Sequence, residues 1–455
     1  MERSPYHLVP RQRRGGTFAA GLVLLLVAGA CAPGDAPQAG GSEGEPVRAF
    51  VGARLIDGTG APPVEDGVLL VRGKRVAAAG PAGSVAIPEG AEVVDLSGRV
   101  VMPGIINAHG HVGTIGGLPG AERYTRELLL DQLGRYARYG VTTVVSLGGD
   151  GPEGVALRKE QEAVPMGPAR ARLYVAGPVL DPSSPEEVPE LVDGLVEMGV
   201  DWVKFRVDDF LGSREAMSPE VYTALIHEGQ RRGLPVAAHM VRLEDAVGLL
   251  EAGVDLLAHS VRDLPVDEDF IRRMREAGIC LSPTVTREIS TFVYGERPDF
   301  FDDPFFQEHS DLEMAELLED PERQASMRAN PGGQYWRSQL PLAEANMKAL
   351  SDAGIPLAFG TDTGPFGRFQ GFFEHLEMER MARAGISPEK VLLSATRDAA
   401  ACMGLEELGT LEPGRLADFL VLRADPLEDI RNSREIQEVW IGGMKVPDSG
   451  VPGDR

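Results

Sequence analysis

Four histidines, one lysine and one aspartate stand at the ends of short apolar runs. They are His109 and His111 in INAHGHV, Lys204 in DWVKFRV, His239 in PVAAHM, His259 in DLLAHS and Asp362 in FGTDTG. Side chains alternate along an extended strand, so His109 and His111 point the same way and can grip one ion. Imidazole nitrogens with a carboxylate oxygen suit zinc, with iron, manganese or cobalt also compatible. A lone His-x-His is weak evidence. Joined by His239, His259 and Asp362 at three further strand ends, it predicts a metal centre and hydrolytic chemistry. Lys204 sits in an apolar run, where an unpaired ammonium is costly to bury. Either it pairs with Asp201, Asp208 or Asp209 or reaches solvent, or its neutral amine has added carbon dioxide to give an anionic carbamate. The residues alone leave both readings open.

Elements able to bring these six together are legible in the chain. Residues 47–100 read as short strands broken by glycine turns. From about residue 101 to 403, apolar strands alternate with helical segments: VVMPGIINAH, VTTVVSLG, ARLYVAG, VDWVKFR, LPVAAH, VDLLAH, ICLSPT and IPLAFGTD. Several helices end just before a glycine (RYGV, EMGV, RRGLP, EAGV, EAGI, DAGIP), where a left-handed cap hands over to the next strand. Strand followed by helix eight times predicts an α/β fold, a (β/α)8 TIM barrel, with its site at the carboxyl ends of the strands. Residues 404–455 return to β character (ADFLVLRAD, IQEVWIGGMKV), predicting a small β-sandwich domain formed with 47–100 from both chain ends.

The segment from Thr286 to Leu342 is too long for an ordinary connection between the seventh and eighth strands. It carries Tyr294, Phe300, Phe301, Phe305, Phe306, Tyr335 and Trp336, and its centre, DLEMAELLEDPERQASM, reads as helical. A lid over the site, a decoration of the rim, and a contact between copies in a homo-oligomer all fit this pattern.

The amino terminus has a different character. Arginine-rich RQRR precedes an apolar stretch from Phe18 to Ala30, too short for a membrane span of roughly 20 residues, and then Cys31. This predicts a signal peptide over 1–30, and VAGAC resembles a bacterial lipobox whose cysteine, Cys31, is lipidated. An ordinary signal peptide with a coincidental cysteine is the alternative. Residues 31–46, rich in Gly, Pro, Ala and acidic residues, suit a flexible tether. The expected location is therefore outside the cytoplasm, periplasmic or anchored to the outer membrane by lipid. The formal charge is −24, with +3 on residues 1–30 and −27 on the remainder, which argues against nucleic acid as a partner. Cys280 and Cys402 fall in apolar patterns that favour two buried thiols, although an exported chain could pair them.

From about residue 47 to 446 the chain resembles the amidohydrolase superfamily, in particular its imidazolonepropionase-like and bacterial metal-dependent prolidase (Xaa-Pro dipeptidase) branch. The matching pieces are VGARLIDGTG, VVDLSGRVVMPGIINAHGH, WVKF, AAHM, LLAHS, GTDTG and GTLEPGRLADFLVL. The resemblance implies two divalent ions. His109, His111 and Asp362 would bind the more buried one, and His239 and His259 the other. Lys204 would bridge them as N6-carboxylysine. It also implies attack on an amide by a hydroxide shared between the ions, with Asp362 as ligand and base. The expected substrate is a dipeptide, Xaa-Pro among them, or an N-acyl amino acid.

Relatives in that branch hold the substrate's free carboxylate with arginine and tyrosine, which makes Arg206, Arg287, Tyr294 and Arg297 the candidates here. Each could equally be a rim or surface residue. His227 and His375 read as helical residues, surface and structural respectively, His309 lies in the long connection, and His7 belongs to the leader. Two other readings remain: a mononuclear deaminase or cyclic amide or lactone hydrolase, and a non-catalytic metal-binding lipoprotein.

Overall fold

The computed structural model describes residues 45–113, 124–163, 167 and 169–447. The signal peptide, Cys31 and nearly all of the tether lie outside the described residues, as do residues 448–455 of the tail. No described helix is long and apolar enough to cross a membrane.

The first strands are β1 (Val47–Leu55), β2 (Val64–Arg72), β3 (Arg75–Pro81), β4 (Glu92–Asp95) and β5 (Val100–Pro103). Then come β6 (Ile105–Gly110), β7 (Val141–Ser146), β8 (Arg172–Val175), β9 (Val203–Arg206), β10 (Val236–His239), β11 (Leu256–Ala258) and β12 (Cys280–Ser282). The last are β13 (Phe419–Leu422), β14 (Ile436–Ile441) and β15 (Met444–Lys445).

Strands from both ends of the described chain pair into one eight-stranded sheet, ordered β15-β14-β13-β5-β1-β2-β3, with β4 on β1. Phe50, Leu55, Leu69, Val101, Phe419 and Trp440 share one apolar cluster within it. The run VVMPGIINAH, read as one strand, divides at Gly104. Its first part, β5, pairs with β1 and β13, and its second, β6, pairs with β7. A Cβ at position 104 would lie 2.2 Å from the Thr142 hydroxyl, so the chain changes sheets where only glycine clears its neighbour.

The remaining strands are parallel. β6-β7-β8 form one sheet and β9-β10-β11-β12 another, with residues such as Val144, Phe205, Ala237 and Leu257 fully buried. Buried on both faces, these strands read as continuous apolar runs rather than alternating ones. Isolated parallel bridges join Leu180 to Phe205, Leu281 to Leu357 and Gly110 to Thr363. The eighth run, IPLAFGTD, is not a continuous ladder. It is held by bonds such as Ala358 N to Leu281 O at 2.9 Å and Ala108 N to Phe359 O at 2.7 Å. Pro356 has no N–H to give, and the left-handed turn at Asp362 (φ 58°) ends regular pairing. Helices Val188–Met198, Leu243–Ala252 and Glu268–Ala277 close on left-handed Gly199, Gly253 and Gly278, as their sequences predict.

Cys280 and Cys402 form a disulfide, with Cα atoms 6.0 Å apart. The expectation of two buried thiols is thus corrected: Cys280 at the start of β12 and Cys402 on the helix Ala399–Cys402 lie within bonding reach. The segment 311–327 is two helices, Leu312–Leu318 and Pro321–Ala329, because Pro321 cannot continue the first and Asp320 caps the second. The long connection packs through its aromatics: Tyr294, Phe301 and Phe306 form one buried cluster with Phe369, Phe372 and Phe373.

Candidate metal centre

The strand ends that carry the site are unusual backbone. His259 (φ 80°), Thr284 (φ 49°) and Asp362 (φ 58°) are all left-handed, a region non-glycine residues visit only when their surroundings demand it. The glycines of FGTDTG have steric reasons. A Cβ at 360 would lie 2.7 Å from the His109 Cβ, and one at 364 only 2.0 Å from the His111 carbonyl. Asp362 is thereby brought against the His-x-His strand.

Donor atoms of His109, His111 and Asp362 lie within 4.8 Å of one another. Asp362 Oδ1 is 2.7 Å from His111 Nε2 and 3.7 Å from His109 Nε2. His111 Nδ1 donates to the Gly148 carbonyl at 2.7 Å, which turns its Nε2 toward the carboxylate oxygen. An imidazole nitrogen and a carboxylate oxygen this close can share a cation, and the N–H to carbonyl bond is the usual brace of a metal-ligating histidine. His109 Nδ1 is buried without a hydrogen-bond partner. The donors present therefore fit a metal.

The four imidazoles form a row. Ring centroids are separated by 5.6 Å from His111 to His109, 4.7 Å from His109 to His259, and 4.2 Å from His259 to His239. Lys204 joins at 3.1 Å, Nζ to His109 Nε2. None of the carboxylates that could have paired with Lys204 does so. Asp201 binds Arg158, Asp209 binds Arg242, and Asp208 lies 3.2 Å from His239 Nε2. All six residues singled out from sequence are thus brought to one place.

Burial dominates the electrostatics. It drives the His239 imidazole down to about 3 and keeps His109 and His259 well below the ordinary histidine value, so all three are neutral, as ligands must be. Burial also lowers the Lys204 ammonium to about 7, partly opposed by Asp362. Burial alone would raise Asp362, but the Arg368 guanidinium and the neighbouring histidines hold it well below the usual carboxylate range.

A buried network behind the cluster escaped the sequence reading. Glu374, on the helix Phe372–Arg383, accepts hydrogen bonds from Asn107 Nδ2 at 2.6 Å, Thr361 Oγ1 and Thr363 Oγ1 at 2.8 Å, and Gly371 N at 2.7 Å. Asn107 Oδ1 in turn accepts from His109 N, and Tyr136 meets Thr363. Glu377, pushed up to about 7 by burial, accepts from Val285 N, Thr286 N and Thr286 Oγ1. The available signal was GFFEHLEMERM, where carboxylates three residues apart stand on one helix face among apolar neighbours.

The substrate candidates separate. Arg287 reaches the site, its Nε 3.5 Å from Asp362 Oδ2 and its Nη1 2.8 Å from Glu288. Arg206 lies over the Phe210 ring. Tyr294 is not brought to the site. It donates to the Gly367 carbonyl at 2.5 Å and is buried in the aromatic cluster, where an apolar ring gains more than at the rim. Arg297 is a surface residue paired with Asp302 and Glu319. His375 is structural, between Tyr139 O and Ser433, and His227 is exposed on its helix. Trp336 stacks on Arg262, a further buried arginine 3.3 Å from Glu288.

Residues 100–446 match the model of the Amidohydrolase family, and the chain belongs to that family. Among curated relatives, it is 25% identical to ochratoxinase of Aspergillus niger over 297 residues, 62% of this chain and 54% of the relative. The match thus spans about half the length of the ochratoxinases. It is also 25% identical to imidazolonepropionase of Deinococcus deserti over 423 residues, 84% of this chain and 91% of the relative. Solved structures share the fold. A Xaa-Pro dipeptidase with bound methionine in its active site superposes with a TM-score of 0.69 at 21% identity, covering 88% of this chain and 99% of that one. Molinate hydrolase gives 0.70 at 21% identity, covering 90% and 96%.

Proposed function

We propose that this protein is a binuclear metal-dependent amidohydrolase that cleaves the amide bond of a dipeptide, Xaa-Pro among the candidates, or of an N-acyl amino acid. The observation that carries the reading is the convergence of four imidazoles, Asp362 and Lys204 on one buried place. In this proposal the two parallel sheets and the 355–363 segment close as a (β/α)8 barrel, and the eight-stranded sheet folds on itself as the sandwich.

His109, His111 and Asp362 would hold one ion and His239 and His259 the other; zinc suits the donors. When bound, the ions supply Lewis acidity and an activated water. The rest falls to side chains. Lys204, depressed to about 7, keeps much of its amine neutral near neutral pH, the form that adds carbon dioxide. As N6-carboxylysine it would supply an anionic oxygen ligand to the ions. Asp362 takes the proton of the attacking water and delivers it to the leaving nitrogen. Arg287, whose Nε is buried without a hydrogen-bond partner, holds the substrate carboxylate.

One observation favours a second reading. Among the described residues, the donor atoms that crowd together are those of His109, His111 and Asp362 alone, which suits a mononuclear hydrolase of a cyclic amide or lactone.

The leader and Cys31 support export and lipid anchoring, and the disulfide Cys280–Cys402 suits an oxidising compartment. Radiolabelled palmitate incorporation that depends on Cys31 tests the anchor.

The activity is tested with a panel of dipeptides, N-acyl amino acids, esters and lactones, run with zinc and with manganese. Turnover confined to amides with a free carboxylate is expected. No turnover by protein with its metals bound contradicts the proposal.

A further inference from the structure

Arg368 enters neither the sequence reading nor the ligand set, yet it touches Asp362 directly. Its Nη1 donates to Asp362 Oδ2 at 2.5 Å and to the Asp362 carbonyl at 3.3 Å, while its Nε donates to Ser290 Oγ at 3.1 Å. The other carboxylate oxygen, Oδ1, is the one turned toward His111 and His109. Asp362 thus has one oxygen for the metal side and one fixed by a guanidinium.

The position of Arg368 is itself over-determined. The turn that carries it is closed by Gly364 N to Arg368 O at 3.1 Å and Arg368 N to Pro365 O at 2.9 Å. Gly367 lies against the Tyr294 ring and receives the Tyr294 hydroxyl on its carbonyl. Phe369 packs on Phe306 with ring centroids 4.8 Å apart. Tyr294, Phe306 and Ser290 all come from the long connection after β12. That segment therefore has work at the site: its aromatic cluster clamps the turn, and the turn aims the guanidinium.

We propose that Arg368 is the positioning residue of Asp362, holding Oδ2 so that Oδ1 stays turned toward His109 and His111. This rests on Asp362 being a metal ligand and proton carrier. A carboxylate freed from Arg368 could swing either oxygen to either neighbour, and an ion held by it would lose an oriented ligand. Removing a partner that orients a metal ligand typically weakens metal binding about ten- to hundred-fold.

The test uses the full-length protein and zinc alone, with affinity read by competition against a chelating indicator. Arg368→Met is expected to bind zinc about ten- to hundred-fold more weakly, and Arg368→Lys to recover part of that loss. On a substrate found in the panel, Arg368→Met should lower kcat and leave KM nearly unchanged, whereas Arg287→Met should raise KM. Zinc affinity of Arg368→Met within about twofold of the unsubstituted protein overturns the proposal. So does a rise in KM at constant kcat, which would make Arg368 a substrate ligand. If the Met variant does not fold by circular dichroism, Arg368→Gln replaces it under the same criteria, since it keeps a donor but no charge. Failure of the unsubstituted protein to bind zinc overturns the metal reading beneath both. Normal binding unaffected by these variants overturns this inference alone.

Discussion

His109, His111 and Asp362 rest on a shared buried scaffold, whereas His239 and His259 are each braced by a single neighbour. In the first group Glu374 gathers Asn107, Thr361 and Thr363, and Arg368 fixes the free oxygen of Asp362. In the second, His259 Nδ1 meets Thr284 Oγ1 at 2.6 Å, and His239 faces Asp208 at 3.2 Å. A site whose ligands share one hydrogen-bonded network loses several contacts when any member is removed. A site braced pairwise loses one. The first half is held by more side-chain hydrogen bonds than the second.

The comparison breaks most visibly at Asp362. Asp362→Asn keeps the shape but cannot carry a proton, and kcat should fall roughly a thousandfold, within the span usual for a lost general base. A variant within tenfold of the parent would show that Asp362 does no proton transfer. Next comes the scaffold. Glu374→Ala strips the acceptor from four buried donors and should cost about 3 kcal/mol in urea unfolding, against about 1 kcal/mol for Thr284→Val behind His259. Equal costs would erase the distinction between the halves.

A pH effect acts on both halves of the metal-stripped protein. His109, His239 and His259 are neutral when folded but protonate near 6.5 when unfolded, so the unfolded chain binds more protons below that value. Their contribution to stability is complete above about 6.5. It falls as the pH drops through 6.5 and, for His239, continues to fall until its folded value of about 3. His375, also lowered to about 3 by burial, adds to the same trend from outside the site. Glu377 and Asp150, both pushed up to about 7 by burial, act the other way over the same range. The check is therefore a comparison: urea midpoints of the parent should fall more between pH 8 and 4 than those of His239→Gln, and identical profiles would contradict the buried neutral row. The smallest effect is expected at Arg297. Its ion pairs are exposed and screened by solvent, so Arg297→Ala should leave both the urea midpoint and turnover unchanged.

Much of this was readable before any coordinates. Strand-end position singled out the six residues that the fold brings together, because period-two alternation and the C-terminal edge of parallel strands leave few places for a histidine to point. Glycine caps marked helix ends for the same local reason. Glu374 and Arg368 were not readable. Their roles depend on contacts between segments far apart in sequence, and a charged residue on a helix or turn carries no local sign of what it will meet. Tyr294 shows the opposite failure: its residue type suggested a carboxylate contact, but its aromatic neighbours bury it. The split at Gly104 was hidden because both strands it separates are apolar.

The central claim is that Lys204 makes this a two-metal site. The most direct measurement is metal content, by mass spectrometry, of the full-length protein and of Lys204→Ala after equilibration with zinc and bicarbonate. The account predicts two ions per chain in the parent and fewer, near one, in the variant. One ion per chain in both would contradict it.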